Sequence, residues 1–211
     1  MNKVLILWFV FLLIAILISS FTHEIGHGIS AYMAGQPVST GFDKVGDAGK
    51  TPADDDFREK HSQYENPWDL GPAVTLFLAL LFTYLLFRTE DKLLLYLVGS
   101  LAIANSFLRL IPVVRSYFFL LFTGAPALED EIGMGILWSQ ITGIQAIKHI
   151  PSLISIIVSI ICLIFIYRGF RKKLPLLFSN RYFTIVSLTA LLVAIPVIKI
   201  LDKYVRINWG S

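Results

Sequence analysis

Two histidines and a glutamate in the run Thr22-His23-Glu24-Ile25-Gly26-His27-Gly28 have the types and spacing that metal-assisted hydrolysis needs. On a helix, residues four apart share one face, so His23 and His27 can direct ring nitrogens at a single ion. Glu24 is turned about 100° from His23 around the helix, where its carboxylate can accept a proton from a metal-bound water. Zinc is the expected ion, since imidazole ligands and an acidified water are its usual catalytic combination.

A catalytic zinc takes three protein ligands and keeps one position for water, so a third ligand must come from elsewhere in the chain. Glu129-Asp130-Glu131 offers three carboxylates beside an apolar segment, enough for one ligand and its neighbours. An ordinary acidic helix N-terminus has the same composition, because the helix macrodipole favours carboxylates there. Asn105 and Arg109 stand four apart inside an apolar run, where polar groups face the protein interior or a wet cavity. They can hold a substrate backbone, orient a ligand or bond to a neighbouring helix. His61 reads as a surface residue, His149 as an interfacial one, and the lone Cys162 as a small buried hydrophobe with no disulfide partner.

The elements that must carry these residues are hydrophobic helices. Of 211 residues, 55% are hydrophobic and 16% charged, against about a quarter charged in soluble domains. The expected fold class is therefore all-α, a multi-pass transmembrane helical bundle resident in the cytoplasmic (cell) membrane. The uncharged stretch 4–22 has the length of a bilayer crossing and delivers His23 near one membrane face. Lys3 followed by apolar residues has the outline of a signal peptide, but Ile18-Ser19-Ser20-Phe21 offers no small-x-small cleavage site, so a retained helix is expected. It should end at Gly35-Gln36-Pro37.

Residues 37–68 form the only long polar segment and read as a solvated loop. Four further runs, 71–87, 93–108, 150–167 and 182–198, are long enough to cross, and 132–147 is a weaker sixth, giving about six spans. Residues 116–128 suit a re-entrant or interfacial piece. The basic connection Arg168, Arg171, Lys172, Lys173 and Arg181 should face the cytoplasm. Six spans then place the motif near the cytoplasmic face, and five place it near the outer one. The net charge of +3 comes with no basic stripe interleaved with aromatics, so the bilayer, not nucleic acid, is the expected partner.

With these residues on the page, the chain resembles the site-2 protease group of intramembrane zinc metallopeptidases, particularly its short peptidase-like members. The likeness rests on the motif with the following Ala31-Tyr32-Met33-Ala34-Gly35, on Leu70-Gly71-Pro72-Ala73, and on Asn105 followed by Leu110-Ile111-Pro112. It implies a core over 1–150, including the loop 37–68, and a C-terminal transmembrane hairpin over 151–211. It further implies zinc held by His23, His27 and Asp130, with Glu24 as the base and Asn105 positioning a membrane-protein substrate. Where the group has an Asp-Gly pair shortly after its asparagine and proline, Asp130 here lies 25 residues beyond Asn105 and precedes Glu131, so Glu129 and Glu131 are alternative ligands. The competing class is a non-catalytic membrane protein of the same fold that binds partners or acts as a small transporter.

Overall fold

The computed structural model describes residues 3–60, 68–124 and 129–210. Of the described residues, 76% are helical. The apolar run at the N-terminus becomes α1 (Lys3–Met33), which carries the motif in its C-terminal third. It stops where glycine permits a left-handed residue. Gly35 has φ 76°, and the Gln36 N–H bonds back to the Ala31 carbonyl at 3.0 Å, closing the helix end before Pro37.

The remaining helices are α2 (Leu70–Arg88), α3 (Lys92–Thr123), α4 (Asp130–Thr142), α5 (Ile150–Lys173), α6 (Pro175–Phe178) and α7 (Phe183–Tyr204). Among the described residues five helices are long and apolar enough to cross a membrane: α1, α2, α3, α5 with the 3-10 turn Gln145–His149 that precedes it, and α7. The expected sixth crossing over 132–147 is divided between α4 and that turn. At 1.5 Å per residue the 13 residues of α4 span about 20 Å, less than the roughly 30 Å of a bilayer core. The expected re-entrant piece is also different, since α3 continues without interruption to Thr123 despite Pro112, and residues 125–128 lie outside the described residues.

Helix packing follows small side chains at heptad spacing. On α5 the buried positions Ser152, Ser155, Ser159, Cys162, Ile166 and Gly169 advance by alternating steps of three and four, as do Leu95, Gly99, Ala102, Ser106, Arg109, Val113 and Ser116 on α3. Small residues let these two backbones approach closely, the packing that works where no water drives helices together. α1 packs against α2, α3 and α7, and Trp8, fully buried, ties it to α7 by donating from Nε1 to Ser187 Oγ at 2.9 Å. The residues beyond 150 thus belong to the same bundle as the motif.

The polar segment is not a bare loop. It contains strands β1 (Val38–Thr40) and β2 (Val45–Asp47), and the C-terminal residues return as β3 (Ile207–Trp209), giving an antiparallel sheet in the order β2-β1-β3. The expectation of helices alone is corrected here. Strands of three residues are too short for a periodic sequence signal, and β1 and β3 are far apart in the chain, with Val38 paired to Trp209.

Candidate metal centre

The three residues of the motif are buried on α1, and His23 and His27 face each other through Nε2 atoms 3.0 Å apart. Asp130, the first residue of α4, brings Oδ2 to 3.0 Å from His23 Nε2 and 3.4 Å from His27 Nε2. Ligands at 2.0–2.1 Å from a tetrahedral zinc lie about 3.3–3.4 Å from one another, so these three atoms are spaced to share one ion. Glu24 has a carboxylate oxygen within 4.8 Å of ring nitrogens of both histidines, so it stands beside the same centre. The residues present fit a zinc with two imidazoles, one carboxylate and an adjacent base.

The second ring nitrogen of His27 is held by a residue that sequence reasoning did not single out. Asp69 Oδ1 lies 2.7 Å from His27 Nδ1 and also accepts the Gly71 N–H at 3.2 Å as the N-cap of α2. A carboxylate on Nδ1 keeps the proton there and leaves the Nε2 lone pair for an ion. The signal was present in Asp69-Leu70-Gly71-Pro72, an acidic cap directly before an apolar run. Close approach of the two helices makes the contact feasible. A Cβ on Gly26 would meet the Gly71 backbone at 2.8 Å, and one on Gly71 would meet the His27 ring at 2.5 Å. Ser30 adds a stitch, with its Oγ accepting the Leu70 N–H at 2.7 Å.

The other carboxylates of the acidic run are engaged elsewhere. Glu129 pairs with Arg115 at the surface of the bundle. Glu131 is buried, with Oε1 accepting from Arg109 Nη1 at 3.2 Å and from Ser155 Oγ at 2.8 Å. Of the three candidates for the third ligand, the fold brings Asp130 to the histidines.

Asn105 is fully buried on α3 and donates from Nδ2 to Ser19 Oγ at 2.9 Å and to the Leu101 carbonyl at 2.8 Å, bonding α3 to α1. Its Oδ1 has no hydrogen-bond partner among the described residues. Arg109, one turn further along, places Nη1 3.2 Å from Asp130 Oδ2 and Nη2 3.1 Å from His23 Nε2. His149 meets the Tyr117 hydroxyl at 2.9 Å, Cys162 is buried without a disulfide, and His61 lies outside the described residues. In comparisons with protein-family models, curated proteins and solved structures, nothing matches this chain.

Proposed function

We propose that this chain is an intramembrane zinc metalloprotease of the site-2 protease kind, hydrolysing a peptide bond in or next to the transmembrane segment of another membrane protein. The observation that carries the reading is the spacing of His23 Nε2, His27 Nε2 and Asp130 Oδ2 at 3.0–3.4 Å, with Glu24 alongside. Zinc, when bound there, supplies an acidified water and polarises a carbonyl. Glu24 accepts the proton of the attacking water and delivers it to the leaving amine. Asp69 fixes the His27 ring so that Nε2 stays available, and Glu131, anchored by Ser155, holds the start of α4 in place. A substrate helix must unwind before its amides can be reached, and Asn105 Oδ1, which has no partner among the described residues, is an acceptor for one N–H of the extended strand.

Five crossings with the basic α5–α7 connection in the cytoplasm put the motif at the outer membrane face. A second reading, a partner-binding membrane protein without catalysis, has one observation in its favour. The Arg109 guanidinium already supplies positive charge to His23 and Asp130, the same groups that an ion would neutralise.

The deciding experiment is zinc content per chain in detergent-purified protein, alongside cleavage of co-expressed single-span membrane proteins. Wild type should carry about one zinc per chain, His27→Ala and Asp130→Ala should carry little, and Glu24→Gln should keep zinc but lose cleavage. Zinc-free wild type that cannot be reconstituted would overturn the peptidase reading in favour of the second.

A further inference from the structure

Arg109 is a buried cation in the middle of an apolar helix, where such a group is costly unless it has a task. Its ion pairs are distributed in an unusual way. Both carboxylates, Asp130 and Glu131, are reached by the single nitrogen Nη1, each at 3.2 Å. A guanidinium kept only to neutralise acids would meet them through a bidentate edge, which is the geometry that strengthens such pairs. Here the edge formed by Nη2 and Nε is left free of carboxylates. Nη2 donates to His23 Nε2 at 3.1 Å, and Nε is buried with no partner among the described residues.

His23 Nε2 is a ligand atom. Once its lone pair is committed to an ion, Nη2 loses its acceptor, and the guanidinium then offers Nη2 beside the ligand atoms and the adjacent Nε, which has no partner among the described residues. Glu131 and Ser155 keep the plane from turning away, since Ser155 Oγ and Arg109 Nη1 share Glu131 Oε1 at 2.8 and 3.2 Å. Two adjacent N–H donors on a fixed cation are matched by an oxygen that becomes negative during the reaction.

Resting on the metallopeptidase reading, we infer that Arg109 is a further catalytic residue, the donor pair that stabilises the oxyanion of the tetrahedral adduct. Water oxygen bonds to the scissile carbonyl carbon, its proton passes to Glu24, and the carbonyl π pair moves onto oxygen, where the Arg109 N–H groups meet the charge. On collapse that pair re-forms the C=O bond, the C–N bond breaks, and the proton held by Glu24 goes to the amine. The substrate that fits is a neutral peptide amide, because a standing carboxylate at the scissile bond would pair with Arg109 and hold the site as product.

The test uses the full-length protein in detergent loaded with Co2+, whose visible absorption reports an anion entering its open position, and azide as the anion. Wild type, Arg109→Gln and Arg109→Lys are compared for Co2+ content and azide affinity. The expected result is equal Co2+ content, with azide binding about tenfold or more weaker in Arg109→Gln and a smaller loss in Arg109→Lys, which keeps the charge but not the edge. Full Co2+ with unchanged azide affinity in Arg109→Gln overturns the inference. So does loss of Co2+ in both variants, which would assign Arg109 to placing Asp130. If Arg109→Gln does not fold, Arg109→Lys decides, and azide affinity equal to wild type rejects the role of the donor edge. Wild type that binds no Co2+ removes the metallopeptidase reading itself, an outcome distinct from the others.

Discussion

Asp69 serves two functions with one oxygen, as cap of α2 and as partner of the His27 ring. The two can be separated because asparagine caps a helix as well as aspartate does but brings no charge to an imidazole. Asp69→Asn should therefore lower zinc affinity about tenfold, measured by chelator competition, while changing thermal stability by only a few tenths of a kcal/mol. Asp69→Ala should lose the same affinity and about 1 kcal/mol besides. Unchanged zinc affinity in Asp69→Asn would leave Asp69 with the capping role alone.

The sheet over the motif end depends on α7 more than on its own strands. Three-residue strands are marginal in isolation, but Asp202 near the end of α7 accepts the Phe42 and Asp43 N–H groups at 2.7 and 3.0 Å and pairs with Arg206 at 3.2 Å. Arg206 in turn donates from Nη2 to the Ser39 and Lys44 carbonyls at 2.9 and 2.8 Å and lies over the Phe57 ring. Asp202→Ala would leave the Phe42 and Asp43 amides without their acceptor and Arg206 without its carboxylate, a loss of about 1–3 kcal/mol confined to the sheet. Hydrogen exchange should show amides over 38–47 exchanging faster while those of the Trp8 region of α1 stay protected. Equal slowing or acceleration throughout would mean that the sheet and bundle unfold together.

Across the whole molecule the two ends of the bundle differ in charge and in what they carry. Opposite the motif, Lys173 bonds the Thr89 carbonyl at 2.7 Å and Glu90 at 3.1 Å, and a groove of about 840 Å³ brings Asn180, Arg181 and Tyr182 against Leu5 and Phe9. That end gathers the start of α1, the α2–α3 turn and the basic connection. Large apolar side chains such as Phe77, Ile157, Ile164 and Leu192 point out of the bundle along its length, a surface suited to lipid and not to water. With five crossings, a cysteine placed at the exposed Asp55 in a Cys162→Ala background should react with a membrane-impermeant maleimide on intact cells. Labelling only after permeabilisation would put the motif end in the cytoplasm and reject the proposed orientation.

The sequence by itself determined the parts whose partners are near neighbours in the chain. His23, Glu24 and His27 come together because helical periodicity alone puts them there, and the long apolar runs appear as helices because local composition decides it. Tertiary structure decided the rest, because the remaining contacts join distant segments and leave no period to read. Asp130 rather than Glu129 or Glu131 reaches the histidines because Ser155 holds Glu131 while Arg115 draws Glu129 aside. Asp69 reaches His27 only because Gly26 and Gly71 let two helices nearly touch, and β1 acquires β3 only when α7 returns the chain to the motif end. A local pattern can state what a residue is able to do, but whether it meets a partner depends on packing energies summed over the whole bundle.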